Sequence, residues 1–443
     1  MVQVRKLRSG LVIGTVLVVG FSLVLIVGLF EFAAYKFSDR PIDSIINHPR
    51  LHHIWRPNGR QDHWEWTERD PRFDKPFTHT YNTQGWLETY DIKKTKPDNT
   101  YRIFYIGDSF TEGTVGMKQS VPSIVEKSLN SKNSDTKFEV INTGTASYSP
   151  SIFYILVRYY LSEYSPDLLV FNVDMTDVYD DFRYRQVMQL AEDGTPYAIH
   201  PGVIHDSDYV WGRNSPIRNS RWFRVKVWLY KNTYTYHFLG KLKRHALAKI
   251  GILRNGSPLD TDRISQSEDQ PGTAKRVSEK STEVGSTKRE VAGLVATTNA
   301  WGWMHHDWDE ATQKNVAFTL RMLEMTIRWA QKSGIQVLVT SVPHWPQYPR
   351  APEVKPEWSA RPHQEIASLV KRLGVVHLNS YAKLYSSIAG SPQTEYYYRG
   401  DMHFNPLGYR LWADAHLEIL HDRKNRLLPE SYWTLADLGS LRD

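Results

Sequence analysis

The stretch YRIFYIGDSFTEG, residues 101–113, decides the fold. Its first six residues form a compact apolar run closed by Gly107, the pattern of a strand buried on both faces. Comparable runs recur at 138–141, 168–172, 335–342 and 375–378, and helical periodicity fills 121–129, 152–164, 309–332, 364–373 and 406–420. Strands alternating with helices of this length predict a parallel five-stranded sheet covered on both faces, a three-layer α/β sandwich. Open sheets of this kind bind ligands at the carboxyl ends of their strands, which is where Ser109 falls. Gly107-Asp108-Ser109 alone is an ordinary turn composition, so a chemical role for the serine needs a partner elsewhere.

The candidate partner lies far along the chain, in YRGDMHFNPLGY, residues 398–409. Asp401 stands two positions before His403, and Asn405-Pro406 reads as the capped start of a helix with proline at its first position. A loop held in this way can direct one imidazole nitrogen toward the carboxylate and the other toward a serine. A serine hydroxyl is a poor nucleophile at neutral pH and needs such a base, while the carboxylate fixes the tautomer and stabilises the imidazolium that forms.

GDSFT (107–111) and DMHFNPLGY (401–409), in this order on a βα background, resemble the first and last blocks of the SGNH hydrolase superfamily, also called the GDSL family. The phrase YNTQGW (81–86) is similar to the lead-in of many bacterial members. The resemblance covers about 81–181 and 309–420, and it implies a flavodoxin-like SGNH sandwich with Ser109 as nucleophile, His403 as general base and Asp401 orienting it. It also implies an oxyanion hole built from the main-chain N–H of Ser109, that of Ser147 and the side chain of Thr176, with Gly107, Asp108, Gly144, Asp177 and Asn405 as supporting motif residues. Two of these positions depart from the family pattern: Ser147 stands where a glycine is usual, and Thr176 where an asparagine is usual. A solvated acidic loop is the competing reading of Asp174, Asp177, Asp180 and Asp181. The Asp-x-His spacing is closer to membrane-linked members such as the alginate acetyltransferases than to Asp-x-x-His esterases.

Residues 9–30 carry no charge and follow Arg5, Lys6 and Arg8, so they are long enough to span a bilayer with the N-terminus cytoplasmic. A cleavable signal peptide competes with this reading, although its apolar core is usually about 7–15 residues. The expected organisation is a cytoplasmic tail (1–8), a transmembrane anchor (9–32) and an irregular lead-in packed on the catalytic domain (33–97). The catalytic domain follows in two parts (98–181 and 309–425), divided by an insertion (182–308) whose polar stretch 254–290 is expected to be a mobile loop; a tail (426–443) ends the chain. Cysteine is absent, which excludes disulfides, thiolate metal sites and a cysteine nucleophile. A net charge of +7 over 443 residues, with no basic run resembling a groove, points away from nucleic acid. The pairs His305-His306 and His52-His53 read as surface or interface residues, and neither a metal nor another cofactor is expected.

Together these residues point to a serine-dependent ester hydrolase or O-acyltransferase, membrane-anchored by one helix, with its catalytic domain in the periplasm or outside the cell. The resemblance suggests an O-acetylated envelope or extracellular polysaccharide as substrate, and the 15 Trp and 25 Tyr suit sugar stacking as well as core packing. Two alternatives stay open: an esterase of lipids or other carboxylic esters, and a non-catalytic glycan-binding protein or scaffold of an envelope assembly with a degenerate oxyanion hole.

Overall fold

The apolar N-terminal segment forms one continuous helix, α1 (Val2–Phe37), because nothing in it breaks or caps a helix before Phe37. Within it, Leu17–Lys36 has a mean hydropathy of 2.4 and is almost wholly exposed, so the helix is long and apolar enough to cross a bilayer. The structure is a computed structural model that describes residues 2–37, scattered positions between 225 and 242, 302–433 except 352, and most of 45–201; within that last span 64, 65, 67–69, 71, 73–75, 133 and 134 are not described. The loop expected at 254–290 lies outside the described residues. The chain divides into two compact units, Met1–Asp43 with Val203–Pro271, and Ser44–Gly202 with Gly272–Asp443. In the first unit the carboxylate of Glu31 on α1 accepts main-chain bonds from Tyr234 and Thr235.

The second unit opens with two short antiparallel pairs, β1 (Ile45–His48) with β2 (His52–Trp55), and β3 (Arg60–His63) with β4 (Phe77–Thr80). The lead-in was expected to be irregular. Its strands are four residues long and rich in His, Arg and Gln, so no alternation announces them, and packing against the rest of the unit sets them.

The main sheet takes β5 (Thr100–Ile106), β6 (Lys137–Asn142) and β7 (Leu168–Val173); a small hairpin of β8 (Met188–Leu190) and β9 (Pro196–Ile199) follows, and β10 (Gln336–Ser341) and β11 (Val376–Asn379) complete the sheet. Its order is β11-β10-β7-β5-β6, and every neighbouring pair is parallel. This is the five-stranded parallel sheet expected from the apolar runs. Successive side chains of β5 alternate between two cores, as strand geometry requires. Phe104 and Ile106 join Leu169, Phe171 and Val339 beneath α4 (Pro150–Tyr159), α6 (Glu310–Lys332) and α7 (Arg361–Leu373). Ile103 and Tyr105 join Val140, Val170 and Leu338 beneath α3 (Val121–Asn130), α8 (Ser380–Ile388) and α10 (Pro406–His421). Shorter helices, α2 (Ser109–Glu112), α5 (Asp177–Arg185) and α9 (Gln393–Tyr396), lie in the connections. Each fully buried side chain of this size contributes roughly 1.5–3 kcal/mol, so the two faces together define the three layers.

The path places the site. From β5 the chain moves to β6 on one side, then crosses to β7 on the other, so the strand order reverses at β5. At such a reversal the connections leave in opposite directions and open a crevice at the carboxyl ends of the strands. The loops after β5, β6, β7 and β10 all end at that edge.

Candidate active site

β5 delivers the chain to Gly107, and the turn that follows leaves no room for a side chain there: a Cβ on Gly107 would lie 2.1 Å from Thr111 Oγ1 and 3.0 Å from the main-chain oxygen of Asn172. Asp108 then caps the single-turn helix α2, its side chain accepting from Phe110 N at 2.9 Å. Ser109 opens that helix, where a main-chain N–H has no acceptor one turn back. Gly144, in the loop after β6, packs directly behind α2, since a Cβ there would meet Glu112 N at 2.2 Å.

The partner loop is a miniature hairpin. Tyr397 and Phe404 pair across it, Asp401 N donates to Tyr398 O, and Gly400 takes a left-handed φ of 65° at the tip. Asn405 pins its base: the amide nitrogen donates to the carbonyls of Thr394, Glu395 and Tyr397, while Oδ1 accepts from Leu407 N and Gly408 N to cap α10. Pro406 follows at the first helical position, as the sequence suggested.

This hairpin brings His403 to the serine. Ser109 Oγ lies 2.7 Å from His403 Nε2, and His403 Nδ1 lies 2.6 Å from Asp401 Oδ1, which also accepts the main-chain N–H of His403 at 2.9 Å. An ionised carboxylate can only accept, so Nδ1 carries the proton and Nε2 presents its lone pair to the serine hydroxyl. The imidazole is 10 % and the carboxylate 14 % exposed, so the relay is largely shielded from water. Phe110 lies against one side of the ring at 4.7 Å between centroids, and Trp66 meets it edge-on at 5.4 Å.

The loop after β6 turns at Ser147, which has a left-handed φ of 61°. Glycine is usual at such a position because it has no Cβ to clash. Here the strained turn is held by its neighbours: Tyr184 Oη donates to Ser147 O at 2.8 Å, and His53 Nε2 donates to Ala146 O at 2.7 Å. His52 and His53, expected as surface or interface residues, are buried; His53 holds this turn, and His52 Nδ1 lies 2.8 Å from His53 Nδ1. Burial pushes the His53 imidazole down to about 4 against the upward pull of Ala146 O; burial and the nearby His53 and Arg183 push His52 down to about 3. Both rings are neutral at physiological pH. His305 and His306 are exposed.

Thr176 departs from its expected place in an oxyanion hole. Its hydroxyl donates to Asp174 Oδ1 at 2.5 Å and its main-chain N–H to the same oxygen at 2.7 Å, so its one hydroxyl hydrogen is already committed. The acidic residues around it are not a solvated loop: Asp174, Asp177, Asp180 and Asp181 are all buried. Burial raises the Asp174 carboxyl, but the hydrogen bond and charge of His344, 2.9 Å away, and the two Thr176 donors outweigh it and hold Asp174 low. Burial, then the charge of Asp174, pushes Asp108 and Asp177 far above the usual carboxylate range. Ionisation within the cluster is thus favoured at Asp174 and disfavoured at Asp108 and Asp177. Asp177 Oδ2 accepts from Asp174 N at 3.2 Å.

His344, Phe110 and Trp66 were given no role by the sequence. His344 stacks on the face of Phe110 at 5.4 Å between centroids, so Phe110 lies between His344 and His403. Its signal was positional: it follows β10 by a few residues, at the same edge as Ser109. No such signal marks Trp66, which reaches the site from the lead-in.

Fold and site together define a class of protein: a parallel α/β sandwich whose sheet edge holds a serine, a histidine and an aspartate in hydrogen-bonded series. No protein family's sequence profile matches the chain, and no curated protein matches it. Among solved structures, it is similar to an acetylxylan esterase from Geobacillus stearothermophilus at 8% identity, covering 72% of this chain and 94% of that one, with a TM-score of 0.36. It is similar also to a putative lipolytic protein of the G-D-S-L family from Desulfitobacterium hafniense (9% identity, 72% and 99% covered, TM-score 0.31). A lipase/acylhydrolase from Enterococcus faecalis gives 12% identity, 73% and 96% covered, and a TM-score of 0.33. Likenesses this distant carry no argument about activity, which has to be read from the residues of this chain.

Proposed function

We propose that this chain is a serine ester hydrolase or O-acyltransferase of the SGNH/GDSL type, acting through an acyl-Ser109 intermediate. The observation that carries the reading is the unbroken series from Ser109 Oγ to His403 Nε2 and from His403 Nδ1 to Asp401, at 2.7 and 2.6 Å. Ser109 Oγ attacks an ester carbonyl and its proton passes to Nε2; Asp401 stabilises the imidazolium. The tetrahedral oxyanion is received by the main-chain N–H groups of Ser109 and Ser147. Collapse breaks the ester C–O bond, and the leaving alcohol takes the proton from Nε2. Water, or a second hydroxyl compound, then repeats the sequence in reverse and frees the serine.

The proposed substrate is an O-acetylated glycan of the cell envelope or its exterior. Its support is the apolar segment of the N-terminal helix, preceded by Arg5, Lys6 and Arg8, which favours a body on the far side of the membrane, together with the Asp-x-His spacing of the last motif. The test uses full-length protein in detergent with 4-nitrophenyl esters of increasing acyl length, followed by acetylated polysaccharide with and without free sugar acceptors. Preference for acetyl, with acetate released or moved to the acceptor, supports the reading. Preference for long acyl chains would replace it with a lipid-directed esterase.

A further inference from the structure

Beside the nucleophile turn three further side chains converge that the relay does not use. His63 ends β3, His79 lies on β4, and Glu112 ends α2 three residues after Ser109. One ligand atom from each lies within 4.8 Å of the others, and all three residues are buried, at 7%, 1% and 5% exposure. We propose that His63, His79 and Glu112 form a site for a divalent transition metal, with zinc the best fit, that ties the β3/β4 hairpin to the nucleophile helix. The sequence reading expected no metal. These residues are scattered between 63 and 112 with no ligand spacing to announce them.

The hydrogen-bond directions are the first reason. His79 Nε2 lies 2.8 Å from Val115 O, and a carbonyl can only accept, so Nε2 carries a proton. In the neutral ring Nδ1 is then a bare lone pair, and it faces Glu112 Oε1 at 3.2 Å. That oxygen already accepts from Tyr81 Oη at 3.0 Å. Two acceptors aimed at each other in a buried place require something positive between them, either a proton or a metal ion. The 3.2 Å separation is at the long end for an N–H···O bond and leaves room for a metal ion. A charge-assisted N–H···O bond closes to about 2.7–2.9 Å, whereas two ligands on a zinc tetrahedron with bonds of about 2.0–2.1 Å sit about 3.4 Å apart.

Ligand chemistry is the second reason. Two imidazoles and a carboxylate are a set that zinc takes readily, and three protein ligands leave a fourth position for water. Metal-bound histidines commonly donate their second ring N–H to a backbone carbonyl, and ligating carboxylates are themselves hydrogen-bonded. Val115 O and Tyr81 Oη fill those two roles. Bringing the His63 ligand atom from within 4.8 Å to a tetrahedral edge shortens each separation by at most about 1.4 Å. The ion would fix α2 from behind: Glu112 O also accepts from Asn142 Nδ2 at 3.1 Å, so the loop after β6 is held through the same residue.

The test uses full-length protein purified in detergent without a polyhistidine tag, measured for metal by mass spectrometry and for thermal unfolding with chelator and with added ZnCl2. About one zinc per chain, or restored binding with a Kd below about 1 µM after chelation, is expected. Chelation should lower the melting temperature by about 5 °C or more, and zinc should restore it. Glu112→Gln and His63→Ala, each checked for folding by circular dichroism, should lose zinc binding by at least tenfold, while Ser109→Ala keeps it whole. Because the readout is metal and not turnover, failure of the esterase reading would leave this result untouched. Wild-type protein that binds no zinc below about 10 µM and melts identically with chelator and with zinc would overturn the site, and a proton would then bridge His79 and Glu112. Full zinc occupancy in both Glu112→Gln and His63→Ala would overturn it as well.

Discussion

Asp401→Asn is the sharpest perturbation of the proposed relay, because it changes one charge and almost no volume. The amide oxygen that replaces the carboxylate can still accept the main-chain N–H of His403, the bond that shapes the loop. What disappears is the negative charge 2.6 Å from His403 Nδ1. A unit charge pair at that distance interacts by about 6 kcal/mol at an effective dielectric near 20, the value suited to a partly exposed pair. The pair forms fully only when His403 has taken the serine proton, so the loss falls on the transition state and amounts to roughly 10⁴ in rate. The neutral amide can also donate to Nδ1 and so select the tautomer that turns an N–H toward the serine. The assay is kcat/KM for 4-nitrophenyl acetate beside the melting temperature of the same preparation. A fall of about 10³ or more in kcat, with KM and melting little changed, is expected. Activity within about tenfold of wild type would refute the assignment of Asp401 as the group that orients and stabilises the base.

Three other outcomes follow from the same geometry. Thr176→Val removes a hydroxyl committed to Asp174, so stability should fall by about 1–2 kcal/mol in thermal melts while kcat changes by less than about tenfold; a kcat loss of 10²–10³ would return Thr176 to the oxyanion hole. Ser147→Gly keeps the main-chain N–H and relieves a left-handed residue, so activity should stay within about threefold and stability within about 1 kcal/mol of wild type, measured by the same two assays. Burial pushes the Asp181 carboxyl up to about 6 despite the bonds from Ser149 and Ser151 that lower it. Its contribution to stability is therefore full below the ordinary carboxylate range and is lost as pH rises through about 6, a loss of about 3 kcal/mol. Asp181→Asn, which keeps an acceptor for Ser149 and Ser151, should flatten that part of the decline in melting temperature between pH 4 and pH 7.

The parts of this structure legible in the sequence are those fixed by local pattern. The runs at β5, β7 and β10 are continuous because both faces are covered, and that continuity announces a parallel sheet. Ser109, Asp401, His403 and Asn405 stand in short motifs whose chemistry depends on neighbours in the chain, so their meeting at the sheet edge could be anticipated. What could not be read depends on contacts between distant segments. Asp174 and Asp177 have the composition of a wet loop, and only the packing of His344, Ser149 and Ser151 around the cluster shows that it is dry. The hydroxyl of Thr176 has two chemically reasonable partners, and the choice between them is made by where Asp174 points. His53 supports the Ser147 turn from a strand whose sequence, HHIW, gives no hint of it. His63 and His79 meet beside Glu112 because two four-residue strands pair in the lead-in, and four polar-rich residues carry too little pattern to predict a strand.

The central claim, that Ser109 is a nucleophile activated by His403, is tested most directly by fluorophosphonate labelling of the full-length protein, with the modified residue located by peptide mass spectrometry. Stoichiometric phosphonylation at Ser109, abolished in Ser109→Ala and slowed by about 10³ or more in His403→Ala, is the predicted result. A folded protein that stays unlabelled, or that labels at another serine, would contradict the account and leave the Ser109–His403–Asp401 series as a structural arrangement without acyl-transfer chemistry.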